Sequence, residues 1–173
     1  MSWTAFEPIA EEYDKWYEEN KEIYEKELEC VKKSVKGNKL LDIGSGTGAF
    51  CLKNAIALEP SLSMLKIAKK KGCEAVRGIA EALPFRSNSF DTAYFVTSLC
   101  FVGDRRKAIE EAKRVAKNVT ACILVKGSEL VNKYEEKGRR GHRIYKHAKF
   151  MKPEELGEIV CKPFDFFACV RIS

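Results

Sequence analysis

"KLLDIGSGTGAF", residues 39–50, places two apolar residues, an acid and a further apolar residue directly before Gly44, Gly46 and Gly48. That order reads as a buried strand running into a tight turn and the start of a helix, the form of a nucleotide-type site. "GSGTGA" also satisfies the dinucleotide fingerprint G-x-G-x-x-G/A, so the turn by itself leaves the ligand open.

Outward from this stretch the chain alternates. "NAIALEP", "CEAVRGI", "FDTAYFVTSL" and "VTACILVKG" are short apolar runs of strand character, the first three, like "KLLDIG", with few alternating polar residues, as strands covered on both faces have. Between them "GTGAFCLK", "SLSMLKIAKKKG" and "DRRKAIEEAKRVAKN" read as helices, and residues 7–35 carry apolar residues at helical spacing with charged intervals. The expected fold class is α/β: a Rossmann-like, doubly wound, mostly parallel sheet with helices on both faces. Ligands in such sheets bind outside the carboxyl ends of the strands.

The residues at those ends have a sign. Asp42 lies two residues before the first glycine and Glu59 closes the second strand, whereas a pyrophosphate favours backbone donors and avoids carboxylates. A cationic ligand suits them better, with the glycines allowing close backbone approach and Glu59 taking a ribose diol. S-adenosylmethionine meets these demands, having an ammonium, a sulfonium, a ribose and an adenine but no phosphate.

Here the chain resembles the class I S-adenosylmethionine-dependent methyltransferases of the small-molecule, quinone-biosynthesis type. The resemblance rests on "LLDIGSGTGAF", "ALEPSLSMLKIAKKKG", "GIAEALPFRSNSFDTAYFVTSLCFV" and "RKAIEEAKRVAKN", in the family's order over roughly residues 5–160. It implies that Asp42, Gly44, Ser45, Gly46 and Gly48 hold the methionine moiety and Glu59 the ribose. Pro60 or Met64 would face the adenine, Ala80 and Glu81 its edge, and Ser98 and Leu99 would lie beneath the sulfur. Tyr13 and Trp16, in "YDKW", would form a lid. Met64 equally suits core packing, and Asp91 reads as a structural acid bonding nearby backbone.

Three departures stand out. Ile79 occupies the place of an acid that usually receives the adenine amino group, and Cys100 stands where relatives often carry histidine. "KPEELGEIV" reads as a helix, which leaves residues 161–173 for one strand and a shortened C-terminal hairpin. A single domain of 173 residues is expected: a helical cap over 1–36, a cofactor-binding core over 37–127, and a substrate-side segment with the final strand over 128–173.

No motif fixes a catalytic base. His142, His147 and Tyr145 are the candidates, in a basic segment with Arg139, Arg140 and Arg143 that would suit an anionic small-molecule acceptor. The net charge of +6 is spread through a mixed-sign surface without an aromatic-interleaved motif, which speaks against nucleic acid. A homo-oligomer stays open. Seven cysteines without a C-x-x-C pair read as buried free thiols, and no metal site is expected. Without an apolar run of about 18 residues or a signal-like N-terminus, no membrane association and a cytoplasmic location are expected. Two other functions compete with methyl transfer: a cofactor-binding module without catalysis, and an NAD-dependent oxidoreductase.

Overall fold

A 3-10 segment, Ser2–Ile9, leads into α1 (Ala10–Glu19) and α2 (Lys21–Ser34) in the computed structural model, which describes residues 2–173. Both helices fall where the sequence expects them. Helix α2 buries Glu27, Cys30, Val31 and Ser34 on one face, and its intervening charges face solvent.

Five parallel strands follow: β1 (Leu40–Ile43), β2 (Ala55–Glu59), β3 (Glu74–Arg77), β4 (Phe90–Val96) and β5 (Ala116–Leu124). Between them lie α3 (Leu62–Lys70) and α4 (Arg105–Val115), and α5 (Glu129–Arg139) comes after β5. The N-caps Ser61, Asp104 and Ser128 each accept a backbone N–H of the first helical turn, so all three helix starts carry a side-chain stop signal. The last strands, β6 (Gly157–Phe164) and β7 (Phe167–Ile172), are antiparallel, giving the order β3-β2-β1-β4-β5-β7-β6. Chain order reverses between β1 and β4, which opens a crevice at their carboxyl ends.

One core lies on the α4 side and contains Leu41, Ile43, Leu58, Phe95, Ala112 and Val115. The other lies under α2 and contains Val31, Leu40, Tyr94, Val96 and Phe167. Strands β1, β2 and β4 are buried nearly throughout, as their unbroken apolar runs imply; β3 is an edge strand and half exposed, contrary to the expectation of two covered faces.

Four expectations need correction. "GTGAFCLK" forms turns, not a helix, because the eleven residues 44–54 between β1 and β2 hold three glycines at positive φ and then Asn54 at φ 68°. "KPEELGEIV" gives only the 3-10 turn Pro153–Glu155, in which Glu155 Oε2 accepts from Lys152 N at 2.7 Å. From Gly157 the chain instead pairs with β7, where Ile159 lies opposite Val170, so strand pairing of β-branched residues overrides helix propensity. Residues released from that helix complete the hairpin, which is therefore not shortened. Finally, four of the seven cysteines are paired: Cys30–Cys161 and Cys122–Cys169 are disulfides, while Cys51, Cys73 and Cys100 are free. Antiparallel pairing of β5 with β7 sets Cys122 directly opposite Cys169, and α2 packs over β6 to bring Cys30 to Cys161. Separations of 47 and 131 residues hide both pairs in the sequence.

Candidate functional site

The carboxyl ends of β1, β2 and β4 enclose one cavity beneath the N-terminal segment. Ile43, Leu58 and Val96 supply its apolar base, Glu59, Pro60 and Met64 one side, Ile79, Ala80 and Glu81 another, and Ser2, Trp3, Phe6 and Tyr13 its cover. Among the described residues no lysine or arginine lines it.

The glycine turn is tied down from behind. Gly44 N and Ser45 N both donate to Leu58 O, at 2.8 and 3.0 Å, and Gly48 N donates to Ser45 O. Gly46 N donates to Glu59 Oε1 at 2.9 Å. Donors that would cradle a pyrophosphate are thus already spent. Gly44, at φ 72°, admits no side chain, since a Cβ there would lie 2.6 Å from the Ser98 Cβ. Gly46 at φ 55° has room, with Tyr13 and Met64 at 3.7 and 3.8 Å from such a Cβ.

Glu59 also accepts from Ser61 N at 2.7 Å, so burial pushes its carboxyl upward while two backbone N–H groups oppose the shift. Asp42 is different. It is buried beneath the turn, its Oδ2 has no hydrogen-bond partner, and burial, with the charge of Glu59 adding, pushes its pKa up to about 8. Thr47 Oγ1 is the second buried oxygen without a partner; among the described residues no other buried side-chain nitrogen or oxygen is left so.

At the end of β4, Thr97 holds φ 52°, a strained conformation for a β-branched residue, fixed by its N–H bond to Cys122 O at 2.8 Å. Its side chain is in polar contact with Tyr13, whose hydroxyl lies 3.0 Å from that of Tyr17. Ser98 Oγ donates to Ile43 O at 2.7 Å, and burial pushes the Cys100 thiol up to about 12. The N-terminal segment is fastened on both sides: Ser2 Oγ donates to Phe101 O at 2.6 Å, Phe6 meets Phe101 edge-on at 5.1 Å, and Ser63 Oγ donates to Glu7 O at 2.7 Å.

Of the residues the sequence singles out, Tyr13, Gly44, Gly46, Glu59, Pro60, Met64, Ala80, Glu81 and Ser98 line the cavity. Asp42, Ser45 and Leu99 lie behind its wall, and Trp16 projects outward, 39% exposed. His142, Tyr145 and His147 are also outside the wall. His142 Nδ1 accepts from Ile144 N and Tyr145 N in a local turn, and Tyr145 stacks on Tyr134 at 4.2 Å. Arg139 and Arg140 both pair with Glu136 on α5. Trp3, Phe6, Thr97, Phe101 and Val102 complete the cavity and were not anticipated. The aromatic spacing in "WTAF" was the available signal for the first two. Asp91 accepts from Asn38 N and Lys39 N, the structural role its position implied. Among the described residues no cluster of His, Cys, Asp and Glu could hold a metal, and no helix is long and apolar enough to cross a membrane.

Residues 41–124 match the profile of a methyltransferase domain. A crystal structure from Thermotoga maritima, described as an S-adenosylmethionine-dependent methyltransferase and possible histamine N-methyltransferase, superposes with a TM-score of 0.88 and 30% identity, covering 100% of this chain and 99% of that one. The chain belongs to the S-adenosylmethionine-dependent methyltransferases. An uncharacterised protein of Methanocaldococcus jannaschii is 38% identical over 90% of this chain and 78% of its own length. A demethylmenaquinone methyltransferase of Renibacterium salmoninarum is 37% identical, but the match covers 49% of this chain and 39% of that enzyme. The cavity is chemically suited to the family's cofactor: its described lining carries carboxylates and no cation, the backbone donors of the turn are spent, and behind the wall an Asp42 oxygen lacks a donor.

Proposed function

We propose that this methyltransferase modifies a small molecule carrying a neutral amine, within the cavity at the ends of β1, β2 and β4. The observation that carries this is the wall itself, which among the described residues holds carboxylates and aromatic rings and no lysine or arginine. Gly44 and Gly46 would meet the methionine end of the cofactor, Asp42 would support its ammonium through the turn, and Glu59 would keep lone pairs for the ribose. Pro60, Met64, Ile79 and Ala80 would bracket the adenine, with backbone and Glu81 in place of the missing acid at position 79. S-adenosylmethionine, when bound, supplies an activated methyl group on a positively charged sulfur.

The chamber beside Thr97 and Tyr13 then sets the demand on the acceptor. The groups beside it are poorly suited as bases: burial holds the Cys100 thiol near 12 and raises the Tyr13 phenol, and each Glu59 oxygen already accepts one N–H. An acceptor with its own lone pair needs no base. An amine nitrogen becomes cationic on methylation, and a wall of carboxylates and ring faces favours that charge over a developing anion. The description of the Thermotoga maritima neighbour supports the same class. The Ser2–Ile9 segment and Tyr13 would act as the lid, excluding water above the reacting atoms.

Calorimetric titration with S-adenosylhomocysteine and with NADH tests the cofactor, and transfer of labelled methyl groups to a panel of small amines, phenols and thiols tests the acceptor. Binding of the homocysteine compound alone and turnover confined to amines is expected. Binding of NADH alone would remove the cofactor assignment; turnover on phenols only would retain it and remove the amine.

A further inference from the structure

A second cavity, of about 560 Å³, lies on the outer side of the turn that follows β4. Glu155 and Leu156, at the 3-10 turn before β6, close one side of it. Leu99, Val102, Ile109 and Leu156 give it an apolar floor, and it shares Val102 and Gly103 with the methyl-transfer cavity. The charges of the two cavities are opposite. Arg105, Arg106, Lys113 and Lys149 rim this one against Glu110 and Glu155.

The carboxylates are committed. Glu110 holds Arg106 at 3.0 Å, and Glu155 accepts from Lys152 N at 2.7 Å. Of the other three cations, Lys113 is taken up by Ser173, whose O accepts from its Nζ at 2.7 Å, while Arg105 Nη2 donates to the neutral Lys149 O at 3.0 Å. Among the described residues neither Arg105 nor Lys149 has a carboxylate partner within ion-pair distance. Two cations whose charge is not balanced, beside an apolar floor, match one kind of small ligand. We propose that this groove binds an amphipathic organic oxyanion, with its apolar stem on Leu99, Val102, Ile109 and Leu156 and its carboxylate, sulfonate or phosphate end between Arg105 and Lys149. The site is separate from the cofactor's and does not depend on what the acceptor is.

Anilinonaphthalene sulfonate, an apolar ring system with one oxyanion, is the probe, and its uncharged parent phenylnaphthylamine is the comparison. Fluorescence and calorimetric titrations of the full chain should give a one-to-one complex with the sulfonate that weakens in about 0.5 M salt. The double variant Arg105→Gln/Lys149→Gln should lose roughly tenfold or more in sulfonate affinity and leave the uncharged compound's binding as it was. Arg139→Gln/Arg140→Gln removes the same charge from α5 and should change neither. Lys149, Arg139 and Arg140 are exposed and Arg105 is half-buried with a single bond to a carbonyl, so the fold is expected to survive. Absence of a one-to-one complex, equal loss in both double variants, or no loss in the groove variant would each overturn the proposal.

Discussion

The two halves of the sheet handle their buried groups in opposite ways. Around β2, β1 and β4 lie the partnerless oxygens of Asp42 and Thr47, three glycines at positive φ and the strained Thr97. Around β5, β7 and β6 the interior is apolar and cross-linked, with Cys122 bonded to Cys169 and Cys161 to Cys30. Unsatisfied groups and strain collect beside the cavity, and covalent and apolar stabilisation collects in the half that has none. The same division should appear when each half is disturbed.

The largest effect belongs to the cross-linked half. Reducing both disulfides, or replacing Cys122 and Cys30 by alanine, should lower the free energy of unfolding by about 2–4 kcal/mol per bridge. Affinity of the still-folded protein for S-adenosylhomocysteine should hold. Chemical denaturation with and without reductant, alongside calorimetry, measures both; a parallel fall in affinity would show that the two halves are coupled.

Asp42→Asn should do the reverse. Cofactor affinity is expected to fall by about 1–2 kcal/mol, the scale of a charge–charge attraction acting through the turn. The free protein should be no less stable. An acid whose pKa is raised by folding binds more protons in the folded state, so Asp42, near 8, and Glu27, raised by burial to about 8, both make stability fall as pH climbs from about 4 towards 8. Asp42→Asn should remove part of that slope. Ionisation of Asp42 through the same range should make wild-type affinity for the cationic cofactor rise with pH, and the variant should lack that rise. Identical pH profiles would place Asp42 in the fold alone.

Within the glycine turn the contrast narrows to neighbouring positions. Gly44→Ala combines positive φ with a Cβ 2.6 Å from Ser98 and should cost about 2–3 kcal/mol of stability. Gly46→Ala meets only ordinary contacts, so its cost should be that of φ alone, about 1 kcal/mol. Thermal denaturation orders the pair; equal effects would mean that Ser98 moves aside.

How far the sequence could be read follows the same boundary. Parallel strands with unbroken apolar runs, the glycine turn, and the acids Asp42 and Glu59 are local patterns, and the structure puts them at the switch point between β1 and β4. The disulfides, the complete hairpin and the helix lost at 152–160 depend on pairing between residues far apart in the chain, which local propensity does not encode. Trp3 and Phe6 in the cavity cover arise likewise from the N-terminal segment crossing to Phe101 and Ser63. His142 lies outside the cavity wall, with its Nδ1 engaged by the turn it sits in, a placement that depends on the fold and not on the local pattern.

The smallest effect is expected at Arg139 and Arg140. The sequence places them in a basic segment fit for an anionic acceptor, yet both pair with Glu136 on an exposed face of α5 and neither lines either cavity. Exposed pairs of this kind are worth well under 1 kcal/mol, because solvent screens the charges and holding two long side chains costs entropy. Arg139→Ala/Arg140→Ala should therefore shift stability by about 0.5 kcal/mol or less. Cofactor affinity should not move, and the Michaelis constant for a working acceptor should not either. A selective rise in that constant would put α5 against the acceptor during turnover and return the basic segment to the substrate side; an unchanged constant leaves both arginines as solvated surface charge.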